Sequence, residues 1–266
     1  MLHSEATDML KSLLARWQQG HRTMKFPKGP PPALSERYRG RPVVDGSKCA
    51  DGCQGCQSIC PTGALGSAGR IRIDLGKCLF CGRCGESCPN HAVRFSGEYR
   101  QATRRREDLV VAGGPYRLAD ALEAKARSLF GRSLKLRQVS AGGCGACEAD
   151  TNVLGTVGWD LGRFGIQFVA SPRHADGLLV TGCVTDNMKL ALEKTYAAVG
   201  SPKLVIAAGA CAISGGPYID HPEAHNGLTD LLPVDLFIPG CPPHPLTILD
   251  GLLRLLGRIE GEPAAT

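Results

Sequence analysis

The spacing of apolar residues divides the chain into stretches of different kind. Near the N-terminus, "TDMLKSLLARWQQG" sets Met9, Leu10, Leu13, Leu14 and Trp17 on one face, with Lys11, Arg16 and Gln18 elsewhere. That pattern predicts a short amphipathic helix, which either packs on its own chain or lies on a membrane surface or a partner. "KFPKGPPPALSERYRG" then predicts an extended, proline-rich connection. Leu118, Leu122, Ala126 and Leu129 return to helical spacing. From residue 134 onward the runs "SLKLRQV", "GIQFVAS", "DGLLVTG", "KLVIAAG" and "VDLFIPG" predict short apolar strands. Between them "TDNMKLALEKTYAAVG" carries Met188, Leu192, Tyr196 and Val199 on one helical face, and "HPLTILDGLLRLLGR" predicts a last helix. Such alternation implies a mostly parallel sheet covered by helices.

Composition refines this picture. With aromatics at 5% in 266 residues, the core must come from aliphatic side chains, and Gly 34 with Pro 18 points to many tight turns. The net charge is +6, concentrated between Lys11 and Arg41 and in "RQATRRRED", Arg100 to Asp108. No stacking-aromatic pattern accompanies these residues, so no nucleic-acid partner is expected. "MLHSEATDML" lacks the basic and apolar regions of an export signal, and no 18-residue apolar run predicts a spanning helix. In a reducing compartment the 13 cysteines read as metal ligands rather than disulfides.

Eight of those cysteines lie from Cys49 to Cys88; Cys144, Cys147, Cys183, Cys211 and Cys241 follow a long gap. Cys78, Cys81, Cys84 and Cys88-Pro89 have the spacing of an iron–sulfur run, in which three thiolates wrap one cluster and the fourth serves the other. Cys49, Cys53, Cys56 and Cys60-Pro61 nearly repeat it, with one extra residue in "ADG" between the first two. The pairs "CQSICPTGAL" and "CGESCPNHAV" form an internal repeat, and the C-x3-C-P tails have no rationale in a zinc site. His91 reads as a surface or packing residue. This stretch resembles a bacterial two-[4Fe–4S] ferredoxin. The resemblance implies Cys49, Cys53, Cys56 and Cys88 on one cluster, and Cys60, Cys78, Cys81 and Cys84 on the other.

The later cysteines follow predicted strands. In a parallel sheet the strand ends share one edge, where ligands bind. "GGCGACEAD", "ADGLLVTGCVTDNM", "PKLVIAAGACAISGGPY" and "PVDLFIPGCPPHP" together resemble the small iron–sulfur subunits shared by [NiFe]-hydrogenases and respiratory complex I. That resemblance implies a third [4Fe–4S] cluster on Cys144, Cys147, Cys211 and Cys241, with Cys183 a buried neighbouring thiol rather than a ligand. Complex I subunits place two cysteines side by side; Cys144-Gly-Ala-Cys147 followed by Glu148 resembles instead the energy-converting, group 4 membrane-bound hydrogenases, including formate hydrogenlyase. In that branch Glu148 belongs to a proton route; read on its own it is an acid favoured by a helix N-terminus.

The expected organisation is a helix and proline-rich docking segment (1–40), a ferredoxin domain (41–97), a basic linker with a helix (98–133) and the small-subunit domain (134–260). The fold class is an α+β ferredoxin-like domain followed by an α/β flavodoxin-like domain. The resemblance further implies an electron-transfer subunit at the cytoplasmic side of the inner membrane, peripheral to it. Its partners would be a [NiFe]-hydrogenase-type or complex I 49-kDa-like large subunit, membrane-arm subunits, and a donor such as ferredoxin or a dehydrogenase subunit. Quinone-linked electron transfer is the alternative activity, and an iron–sulfur regulator the second. No nickel site, flavin fingerprint or P-loop is present in the sequence.

Overall fold

A computed structural model of the chain describes residues 2–50, 52–67 and 71–259. It opens with helix α1, Leu2–Gln19, closed by Gly20 in the left-handed conformation with its N–H on the Arg16 carbonyl. The apolar face of α1 is not packed on the chain: Met9, Leu10, Leu13, Leu14 and Trp17 are all exposed. Among the described residues no helix is long and apolar enough to cross a membrane.

The next region is built from very short elements: β1 Pro42–Val44, α2 Gly55–Ser58, β2 Leu65–Ser67, β3 Ile71–Asp74, α3 Arg83–Glu86 and β4 Val93–Phe95. β1 pairs antiparallel with β4, and β2 with β3, so the two halves of the internal repeat are held by small ladders rather than by one large sheet.

The stretch 98–133, expected as a linker, is instead a strap laid into the core. Its strand β5, Val110–Val111, pairs with β3. Thr103 exchanges both backbone hydrogen bonds with Phe237, and Ala102, Thr103 and Leu109 have no exposure. The basic run is spent internally: Arg106 makes two hydrogen bonds to Asp74, 2.8 and 2.7 Å, and Arg104 donates to the Asp235 carbonyl. The expected helix is shortened to α4, Ala124–Phe130. Upstream of it, the Ala119 and Leu122 N–H groups bond to the distant carbonyls of Ala102 and Leu255, which removes them from any helical ladder. Leu122 is buried accordingly, while Leu129 is 56% exposed.

The remaining elements are β6 Leu134–Ser140, α5 Ala146–Val153, β7 Ile166–Phe168, β8 Gly177–Thr181, α6 Asp186–Ala198, β9 Leu204–Ala208, α7 Ala210–Ser214, β10 Leu236–Ile238 and α8 Pro245–Leu255. The five strands form one parallel sheet in the order β10-β9-β8-β6-β7. The chain leaves β6 to one side and β8 to the other, so the strand order reverses between these two neighbours. β8, β9 and β10 are buried at every position, as strands covered on both faces must be.

Each face has its own core. Val139, Leu178, Val180, Val205 and Phe237 pack with Leu192 of α6 and Val199 just past its end, and this cluster runs on through Ile213 into Ile73, Leu75, Val93 and Leu109. The sheet and the cysteine-rich region therefore share one core. On the other face Leu136, Leu179, Ile206 and Ile238 pack against Leu246, Leu249, Leu252 and Leu253 of α8. Each such leucine contributes about 1.5–3 kcal/mol by burial.

Candidate functional site

The internal repeat produces two turns of the same shape. After Cys60, Gly63 is left-handed and the Ala64 N–H donates to Cys60 Sγ at 3.3 Å. After Cys88, His91 is left-handed and the Ala92 N–H donates to Cys88 Sγ at 3.3 Å. His91 is exposed: it fills the turn position that glycine fills in the other copy. The "CPTGA" and "CPNHA" pair carried this signal, and sequence reasoning missed it. The Phe80 N–H donates likewise to Cys78 Sγ, 3.3 Å. Amide donors aimed at sulfur stabilise thiolate, the form a metal binds. In the first run the Cys53 N–H closes a turn on the Ala50 carbonyl with Gly52 left-handed, which takes up the extra residue; Asp51 itself lies outside the described residues.

The sheet gathers its cysteines differently. Cys144 and Cys147 follow β6, Cys183 follows β8, Cys211 opens α7 after β9, and Cys241 follows β10. Glycines let the backbone approach: a Cβ on Gly209 would lie 2.6 Å from Cys147 Sγ, and one on Gly216 2.8 Å from Cys211 Sγ.

Thiols close enough to disfavour one another's ionisation fall into three sets. Cys56 is raised by burial and then by Cys49, Cys53 and Cys88. Burial pushes Cys78 up to about 12, with Cys84, Cys60 and Cys81 adding to it. Burial and the neighbours Cys211, Glu148, Cys241 and Cys144 raise Cys147 strongly. The sets also act on one another in series: Cys56 disfavours ionisation of Cys84, and Cys81 that of Cys241. Cys183, 1% exposed, acts on Cys211, but its own sulfur donates to the Gly142 carbonyl at 3.2 Å.

Among the described residues no three Cys, His, Asp or Glu side chains converge on a point as a single ion, with thiolates at about 2.3 Å, requires. Clustered thiols, of which Cys78, Cys84, Cys147 and Cys211 are buried and Cys53, Cys81, Cys144 and Cys241 exposed, with amide donors on some sulfurs and glycine cradles behind others, fit a larger cationic body at the protein surface. A [4Fe–4S] core is such a body: its irons offset the repulsion that four bare thiolates would suffer.

Glu148 stands in the first turn of α5. Ser140 Oγ and Thr181 Oγ1, at the ends of β6 and β8, both donate to its Oε1 at 2.6 Å. Burial alone would raise its pKa; the two hydroxyls outweigh burial and hold the carboxyl below its usual range.

Thiol clusters with amide donors on the sulfurs are characteristic of iron–sulfur proteins. The family described as "NADH ubiquinone oxidoreductase, 20 Kd subunit" matches residues 144–255, and the "4Fe-4S binding domain" matches residues 71–94. The "Probable membrane-bound hydrogenase subunit mbhJ" of Pyrococcus furiosus is 40% identical over 137 residues, covering 50% of this chain and 82% of that protein. An NADH-quinone oxidoreductase subunit of Clostridium beijerinckii is 42% identical over 118 residues, covering 44% and 70%. A chain of the membrane-bound sulfane sulfur reductase, an archaeal respiratory membrane complex, is 35% identical, covering 51% and 75% with a TM-score of 0.45. The chain belongs to the 20-kDa-subunit family that NADH-quinone oxidoreductases and membrane-bound hydrogenases share, and it carries a 4Fe–4S-binding region ahead of that domain.

Proposed function

We propose that this chain relays electrons through three [4Fe–4S] clusters to or from a [NiFe] centre held by a separate large subunit, in a membrane-bound hydrogenase that evolves or oxidises H2. When bound, each cluster supplies one-electron redox chemistry. The observation that supports the reading is the sorting of twelve thiols into three sets that influence one another electrostatically in series. Cys49, Cys53, Cys56 and Cys88 hold the outermost cluster. Cys60, Cys78, Cys81 and Cys84 hold the middle one. Cys144, Cys147, Cys211 and Cys241 hold the innermost. Glu148, tied to both strand ends at the sheet edge, stands where a proton route would begin.

Domain organisation follows the same reading. A ferredoxin-like region at 41–97 precedes a flavodoxin-like sheet at 134–260, whose strand order in chain numbering is 2-1-3-4-5. The strap at 98–133 joins them into one body. The docking segment at 1–40, with α1 exposed, meets a membrane-arm subunit, and the assembly lies peripherally on the cytoplasmic side of the inner membrane. A donor such as ferredoxin or a dehydrogenase subunit feeds the outermost cluster. Charge supports a partner at the inner end. The segments that follow the strand ends, 141–153, 182–188, 209–233 and 239–245, hold Glu148, Asp150, Asp186, Asp220, Glu223 and Asp230 and no Lys or Arg, in a chain of net charge +6; Arg37 and Arg39 reach this edge only from the N-terminal segment, in the cavity beside Cys241 and Asp150. A large subunit with a complementary basic face would dock there.

Identity with quinone oxidoreductase subunits favours a second reading, the same relay delivering electrons to quinone. The spacing Cys144-Gly-Ala-Cys147-Glu148 favours the hydrogenase. Nickel content together with H2-dependent dye reduction by the purified assembly decides between them. Nickel with dye reduction supports the first reading; absence of both supports the second.

A further inference from the structure

The fifth thiol of the sheet edge has no place among the four proposed ligands, and its surroundings are specific. Cys183 is 1% exposed and leads out of β8 between two residues in the left-handed region, Gly182 and Val184. Its loop is pressed against the loop that carries Cys144 and Cys147. The Ala141 N–H bonds to the Thr181 carbonyl, and the Thr185 N–H bonds back to the Ala141 carbonyl. A Cβ on Gly142 would meet the Thr185 side chain at 2.5 Å, and one on Gly182 would meet Gly143 N at 2.8 Å. Across this contact Cys183 Sγ donates to the Gly142 carbonyl, two residues before Cys144, at 3.2 Å. The sulfur also interacts electrostatically with Cys211, whose ionisation it disfavours.

A thiol has one hydrogen. With that hydrogen committed to the Gly142 carbonyl, the sulfur presents only lone pairs to Cys211. A partial negative charge beside a cluster disfavours an added electron and lowers its potential.

We infer that Cys183 is a positioning residue for the third cluster: it clasps the Cys144–Cys147 loop to the β8 loop and holds the potential of that cluster down without ligating iron. The inference rests on the third cluster of the proposed function.

The test uses the purified assembly with Cys183→Ala and Cys183→Ser, reading iron per chain and the midpoint potential of the third cluster by redox-poised EPR. Cys183→Ala keeps the full iron complement and its midpoint moves upward. Cys183→Ser, whose hydroxyl keeps the bond to Gly142, returns toward the wild-type value. Should Cys183→Ala fail to assemble, the shape-matched pair Cys183→Thr and Cys183→Val makes the same comparison, with the higher midpoint in the valine variant. An unmoved or lowered midpoint in Cys183→Ala, equal midpoints in the Thr and Val variants, or loss of one cluster's iron in Cys183→Ala overturns the inference. Wild-type protein that lacks a third cluster overturns the functional reading instead, so the two failures are distinguishable.

Discussion

In the region 41–97, three thiols of each set come from a single short turn, and only the fourth crosses over from the other copy of the repeat. In the sheet, Cys144 and Cys147 share one loop, but Cys211 and Cys241 arrive from the ends of β9 and β10, far away in sequence. The first arrangement needs little scaffold. Its strands are three or four residues long, and its turns are closed by local bonds such as Ala64 N–H to Cys60 Sγ. The second needs the whole parallel sheet, because only the shared edge brings those loops together. A thiol cluster can thus be written locally or assembled by topology, and the two kinds should fail in different ways.

The largest expected effect separates the two directly. Gly209→Ala forces a Cβ against Cys147 Sγ at a left-handed position, φ +93°. It is expected to remove the third cluster, about four irons, while the first two stay loaded. Iron analysis with EPR checks this; loss spread evenly over all clusters would break the contrast. Cys60→Ser tests the crossing inside the repeat. It should deplete the cluster of the second run, on Cys78, Cys81 and Cys84, and leave that on Cys49, Cys53 and Cys56. Depletion of the first run's own cluster would contradict the crossed assignment.

A smaller effect concerns how the two regions are joined. Arg106→Ala removes both hydrogen bonds to Asp74, a pair with 25% and 23% side-chain exposure. It should cost about 1–2 kcal/mol of stability in denaturant unfolding, without loss of iron. The smallest effect lies at the start of α8. His244 Nδ1 accepts the Leu246 N–H at 3.1 Å, and burial lowers the imidazole pKa below its ordinary value. A depressed histidine contributes stability that is present above about pH 6.5 and is lost as pH falls through the folded value, because burial disfavours the imidazolium; protonation of Nδ1 also removes the acceptor of the cap. Unfolding midpoints measured at neutral and mildly acidic pH should diverge in the wild type and converge in His244→Ala.

The same contrast explains what could be read without coordinates. The strands at 134–140, 177–181 and 204–208 and the helix with Leu192 inside were legible, because apolar period and burial agree there. The second cysteine run was legible from spacing alone, and the 4Fe-4S binding domain matches it at residues 71–94. The strap at 98–133 was not. It reads as a basic linker, but the partners of its charges, Asp74 and the Asp235 carbonyl, lie far away in sequence. The apolar spacing of Leu118 to Leu129 pointed to a longer helix, and tertiary hydrogen bonds from Ala119 and Leu122 overrode it. The role of His91 was hidden for a similar reason: a left-handed turn residue looks like a surface residue until the glycine in the other copy is set beside it. The partners of Glu148, Ser140 and Thr181, become neighbours only when β6 and β8 pair.

Iron and sulfide counted per chain in anaerobically prepared protein, alongside redox-poised EPR, test the central claim most directly. Three cluster signals with about twelve irons per chain are predicted. Eight irons or fewer in fully assembled protein, or zinc in place of iron, would contradict the relay.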